Sequence, residues 1–210
     1  MGIVINHSEN IFLPQMIITK PEMEEKVEAF VKNGGTVIVT YRHAVKDADN
    51  NVPFGETLPV HYNALAGLTV EETESLQDYD AFPVVGSGVF EGVEGTGGIF
   101  RDMIQVQDAE VLFHYADAFY QEFEAVTRKQ TGRGTLYYVG CGLEEKITKL
   151  LMEQVMRDWH FQMVPSEESL EIVTRGNEKQ KVTMYINHNA KEVTYGDMTL
   201  APFACKILEA

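Results

Sequence analysis

A chain of 210 residues with 44% hydrophobic and 23% charged side chains has room for one large domain, or a medium one with a small companion, and is too apolar to be disordered. Its 32 acidic residues outnumber 17 basic ones, and the net charge of -15 repels phosphate backbones and anionic lipid, so neither nucleic acid nor a membrane surface is an expected partner. No apolar run approaches the ~20 residues of a membrane span; the first residues lack a basic-then-apolar leader, and Cys141 and Cys205 make neither a disulfide framework nor a metal knuckle, so a reducing cytoplasm is expected.

The first predicted strand is Ile11–Met16, whose continuous apolar character suits a strand buried on both faces. Thr19, Pro21 and Glu22 then announce a helix start, and Met23, Val27, Phe30 and Val31 give that helix one apolar face. Asn33-Gly34-Gly35 ends it, and Thr36–Tyr41 is a β-branched strand, so the amino-terminal part reads as a βαβ unit of an α/β domain. From Arg42 to Gly98 the pattern loosens. Asp47–Asn51 is turn-forming, and the six glycines at 86, 88, 92, 95, 97 and 98 do not match a phosphate-binding G-x-G-x-x-G, so Val84–Gly98 is expected to be a flexible surface loop.

Order returns with Ala109–Tyr115 and Ala125–Arg128, and Gly132-Arg133-Gly134 leads into the strand Thr135–Val139 as a hairpin. A second helix is predicted over Leu143–Trp159, with Leu143, Ile147, Leu150, Leu151 and Val155 on one side. Pro165 and Ser166 mark a boundary between residues 1–164 and 165–210. The remainder reads as β through Leu170–Arg175, Val182–Asn187 and Met198–Leu208. Roughly 45 residues bury too little surface to be comfortable alone, so this tail is expected to lean on the first domain. No internal repeat is visible.

Glycoside hydrolysis needs two carboxylates held about 5 to 10 Å apart. Acidic pairs occur at Glu24-Glu25, Glu71-Glu72, Glu144-Glu145 and Glu167-Glu168, but most sit near predicted helix starts, where the helix dipole favours negative charge. None is assigned a catalytic role. Cys141 is the sharper candidate, because it lies between a predicted strand and a predicted helix, where a turn can expose a nucleophile above a sheet. Its surroundings, Val139-Gly140-Cys141-Gly142-Leu143, are not G-x-C-x-G, its base would have to be His114 or His160, and the competing reading is an inert buried cysteine. His7, His43, His61, His114, His160 and His188 have no metal-ligand spacing, and no cofactor is expected. Trp159 and the tyrosines and phenylalanines could stack on sugar rings, although aromatic residues at strand and helix spacing are more often core.

Several short motifs, in order, resemble the β-galactosidases of glycoside hydrolase family 42. They are Leu13-Pro14, Thr19 to Glu22, Gly34-Gly35 and Thr40-Tyr41-Arg42, followed by Asp47, Asn50 and Val52. Ala109–Leu112, Tyr115-Ala116-Asp117, Phe119-Tyr120, Ala125–Arg128, Gly132-Arg133-Gly134 and Tyr138-Val139-Gly140 continue the series, and Tyr185–His188 with Leu200–Phe203 close it. The resemblance implies a flavodoxin-like or class I amidotransferase-like parallel-sheet domain that brings three subunits together as a homotrimer, then a small antiparallel β domain. It also implies that the galactoside-cleaving (β/α)8 barrel, which supplies both catalytic glutamates, is missing here, since such a barrel needs about 250 residues. No family catalytic residue is carried onto this chain. An independent cysteine hydrolase using Cys141 and a stand-alone carbohydrate-binding scaffold remain the alternatives.

Overall fold

The computed structural model describes residues 10–77, 80–159, 169–176 and 180–209. The chain divides into two compact units, Met1–Gln154 and Val155–Ala210. The expected boundary at Pro165 and Ser166 lies outside the described residues.

The first unit begins with β1 (Asn10–Leu13), α1 (Pro21–Lys32) and β2 (Thr36–Thr40). Pro21 fits the first turn of α1, where its missing N–H costs nothing. The capping box expected at Thr19 and Glu22 does not form. Instead the Thr19 hydroxyl donates to Glu24 Oε1 at 2.7 Å, and both side chains are buried. Gly34 sits at φ +111°, a conformation that favours glycine, and the Phe30 ring lies against Gly35 where a β-carbon would otherwise stand. β1 and β2 pair in parallel from Asn10↔Thr36 to Leu13↔Val39, as a βαβ unit requires.

α2 (Asn63–Ala66), β3 (Leu68–Ser75), β4 (Ala81–Gly86), β5 (Glu94–Val106), β6 (Glu110–Tyr115), β7 (Glu124–Thr131), β8 (Gly134–Val139), β9 (Cys141–Leu143) and α3 (Glu145–Asp158) follow. Nine strands form one mixed sheet in the order β1-β2-β8-β7-β6-β4-β5-β3, with β9 beside β5. Only β1–β2 and β2–β8 are parallel; every other ladder in this sheet is antiparallel. The expected flavodoxin-like parallel sheet is thus confined to three strands. A parallel neighbour needs a long crossover, and the successive strands β4 to β8 are joined by connections too short to carry one. β5 pairs β4 through its first half and β3 through its second, and it reaches β7 at Ile104↔Glu124. The circuit β7-β6-β4-β5 therefore closes on itself.

This curl explains the glycines of Val84–Gly98. The segment is strand and turn rather than a flexible surface loop: Gly86, Gly95, Gly97 and Gly98 stand in β4 and β5. Gly97 faces Phe82 and the Cys141 sulfur, and Gly95 faces Ile147 and Glu144, so side chains from neighbouring elements fill the space a β-carbon would take. Leu13, Val27, Val31, Val37, Val39, Leu65, Leu68, Ile104, Leu136 and Tyr138 make one continuous core through α1, α2 and the central strands. Leu143, expected to open the second helix, ends β9 instead, while Ile147, Leu151 and Val155 line the buried side of α3 as the spacing predicted.

The second unit holds β10 (Leu170–Gly176), β11 (Lys181–Asn187), β12 (Val193–Tyr195), β13 (Met198–Leu200) and β14 (Cys205–Glu209). β10-β11-β14 is an antiparallel sheet and β12–β13 a separate hairpin, so the small antiparallel domain read from the tail is present. Leu170, Val193 and Leu200 form its small core, and the Asn187 side-chain amide donates to the Lys191 and Ala201 carbonyls at 2.8 and 2.9 Å.

Candidate functional site

The densest polar chemistry lies where β5 crosses the end of the parallel strands. Asp102 of β5 is fully buried. Its Oδ1 accepts from the Thr73 hydroxyl at 2.6 Å, and its Oδ2 accepts from the Tyr138 hydroxyl at 2.8 Å and the Arg42 backbone N–H at 3.1 Å. Its own N–H donates to the Gly140 carbonyl at 2.8 Å, and its carbonyl accepts from the Tyr115 hydroxyl at 3.0 Å. Burial pushes the Asp102 carboxyl above its usual range, while the bonds from Thr73, Tyr138 and Arg42 pull it back.

The neighbouring Arg101 points the other way and its side chain is 4% exposed. Its guanidinium is 4.0 Å from the Phe82 ring centroid and 3.6 Å from that of Tyr120. Nη2 pairs with Asp117 Oδ2 at 3.1 Å, and Nε lies 3.8 Å from Glu74 Oε2. Residues alternate along a strand, and the register follows: Thr73↔Asp102 and Ser75↔Phe100 share one face of the β3–β5 ladder, whereas Glu74↔Arg101 belongs to the other.

Cys141 is buried in this centre, 1% exposed. Desolvation pushes its thiol up to about 12, with the Asp102 charge adding to the effect, so the group is a neutral thiol at ordinary pH. Its bonded neighbour is the Tyr115 hydroxyl rather than His114, which pairs across the ladder with Glu124. His160 lies outside the described residues, as do His7 and the pair Glu167-Glu168. Glu24 is bonded to Thr19 and Glu144 to Thr96. Glu71 and Glu72 stand exposed in β3 beside its bulge, not at a helix start. Among the described residues no group of three or more His, Cys, Asp or Glu side chains could hold a metal ion.

On the Asp102 face lies a groove of about 400 Å³ lined by Arg42, Val45, Lys46, Val52, Leu58, Thr73, Ser75 and Phe100. Arg42 follows β2 with φ +59°, and its guanidinium lies 4.9 Å from the Phe100 ring centroid. Such a φ is uncommon outside glycine. Here the Arg42 N–H bond to Asp102 accompanies it. Sequence reading singled out Tyr41-Arg42 but missed Arg101 and Asp102. The available signal was a charged pair inside the apolar run Ile99-Phe100-Arg101-Asp102-Met103-Ile104.

Residues 5–162 match the family model described as β-galactosidase trimerisation domain. The chain belongs to that family. β-Galactosidase LacA of Lactobacillus acidophilus is 26% identical over 183 residues, which cover 87% of this chain and 27% of the relative. β-Galactosidase Pbg of Clostridium perfringens is 26% identical over 190 residues, covering 88% of this chain and 27% of that protein. The chain thus spans about a quarter of the length of these curated relatives. The crystal structure of β-galactosidase from Bacillus circulans sp. alkalophilus superimposes with a TM-score of 0.86 at 24% identity, over 95% of this chain and 32% of that one, and shares its fold. Among the described residues of this family member there is no (β/α)8 barrel.

Proposed function

We propose that this chain is the assembly and carboxy-terminal region of a β-galactosidase, with residues 1–164 joining subunits into a homotrimer and residues 165–210 forming the small β domain. The match of residues 5–162 to the trimerisation model carries this reading. The (β/α)8 barrel of the whole enzyme would hydrolyse terminal β-D-galactosides with retention, using its own two glutamates. In this reading Cys141 is a packing residue and not a nucleophile, a role supported by its burial and raised thiol. The surroundings are cytoplasmic, in keeping with two free cysteines.

Molar mass in solution tests it. One chain is 23.6 kDa, so light scattering behind a sizing column is expected to give three times 23.6 kDa, or 70.8 kDa. A mass of one chain at every concentration would remove the proposal that self-association resides in this region.

A further inference from the structure

The two faces of the β3–β5 ladder carry complementary features. One face opens into the groove, with Val45, Val52 and Phe100 as apolar wall and Arg42 and Lys46 as cationic rim. Arg42 has no ion-pair partner among the described residues, in a chain whose net charge is -15. Its charge acts on the buried Asp102 carboxylate, but its half-buried guanidinium lies over the Phe100 ring with no salt bridge of its own among those residues. Such a cation beside apolar surface suits an occupant with both a hydrophobic group and a carboxylate.

The opposite face presents such an occupant. Arg101 grips the connection between β6 and β7 through Asp117 and the Tyr120 ring. That grip leaves Phe119 standing out with 77% of its surface exposed, in edge contact with Tyr120 at 4.9 Å. Glu122, three residues on, is also exposed. Phe119 and Glu122 together supply the ring and the carboxylate. The knob belongs to the β6–β7 connection, tied to the Arg101 side of the β3–β5 ladder, whereas the groove opens on the Phe100 side, so a copy does not fill its own groove. Three identical chains close into a ring through a heterologous contact, in which one patch meets a different patch of the next copy.

We propose that Phe119 and Glu122 of one copy enter the groove of Arg42, Val52 and Phe100 on the next, closing the trimer head to tail. This rests on the self-association reading given above. The groove's volume accommodates a phenyl ring with the carboxylate at the Arg42 rim, and a surface of many acidic groups needs such a cationic island to dock on itself.

The test uses Phe119→Ser, which removes the knob, and Val52→Asp, which spoils the groove at a residue 69% exposed and away from the Asp102 bonds. Near-ultraviolet circular dichroism confirms that each variant keeps the wild-type packing. Wild type is expected at three times 23.6 kDa, or 70.8 kDa, and each variant alone at 23.6 kDa. An equimolar mixture of the two retains one good knob and one good groove, so it is expected at two times 23.6 kDa, or 47.2 kDa. Wild-type mass in both variants overturns the proposal and leaves the trimer reading intact. Monomeric variants that give no complex on mixing overturn the head-to-tail pairing. A monomeric wild type overturns the self-association reading and this contact with it.

Discussion

The Tyr138 hydroxyl donates to Asp102 Oδ2 at 2.8 Å where neither side chain meets water. Asp102 is thereby joined to β8, to β3 through Thr73, and to the segment after β2 through the Arg42 N–H. Tyr115 ties β6 to the same residue through its carbonyl. One buried carboxylate thus fastens the parallel strands to the antiparallel curl. Its ionised form is costly without donors, and three are supplied.

Replacing Tyr138 by Phe removes one of those donors and leaves the carboxylate short of a partner. The expected cost is about 1 to 3 kcal/mol, measured by urea unfolding at neutral pH. The sign with pH follows from Asp102, whose folded pKa is raised above the ordinary 3.8 of an aspartate. Such a group favours the fold when protonated, a contribution present below 3.8 and lost as pH rises through the folded value. Tyr138 offsets part of that loss, because its bond holds the ionised form. The Phe variant should therefore fall further behind wild type as pH rises from acid to neutral, and a deficit that shrinks along that path would contradict this account.

Gly97 to Ala is a purely steric prediction. The added carbon would meet the Phe82 ring and come within 3.0 Å of the Cys141 sulfur, both in the packed interior. A loss of about 1 to 3 kcal/mol is expected from overpacking, read as a lower thermal midpoint. An unchanged midpoint would mean that β5 and β9 shift apart freely.

These glycines also mark where the fold was legible in sequence and where it was not. The β1-α1-β2 unit was readable because local rules and burial agree there: Val27 and Val31 keep helical spacing, Val37 to Val39 run unbroken, and Gly34 ends the helix. Gly95 and Gly97 misled because glycine signals both loop and close approach, and only the positions of Phe82 and Ile147 decide between them. The parallel sheet was over-extended for a similar reason, since β-branched runs do not state their pairing direction. Arg101 and Asp102 escaped notice because their partners, Asp117, Tyr120, Thr73 and Tyr138, are brought to them by strand pairing over long sequence separations.

The two cysteines should react very differently. Cys205 is exposed and Cys141 is buried, its thiol pushed up to about 12. A raised pKa means that the neutral thiol favours the fold at ordinary pH, a contribution lost only as pH rises toward 12. Iodoacetamide at pH 8 is expected to add one label per native chain and two per chain in urea, counted by mass spectrometry, since the Cys141 thiolate fraction is on the order of one part in ten thousand. Rapid double labelling of the folded chain would revive Cys141 as a nucleophile.

His43 provides the acid-side prediction. It lies between Arg42 and Ala44, both at positive φ, with no exposed surface and neither ring nitrogen hydrogen-bonded. Its ring packs edge-on against Tyr62 at 4.5 Å, and burial lowers its pKa from 6.5 to about 3. The unfolded chain therefore takes up a proton that the folded chain refuses. The stability due to neutral His43 is present above 6.5 and drains away as pH falls toward 3, by up to about 1.4 kcal/mol per pH unit. His43→Phe keeps a ring against Tyr62 but cannot titrate. Its unfolding free energy should decline less steeply between pH 6.5 and 4 than that of wild type, whatever offset the substitution adds at neutral pH. Parallel pH profiles for the two proteins would show that His43 finds a partner or water that holds its proton in the folded state.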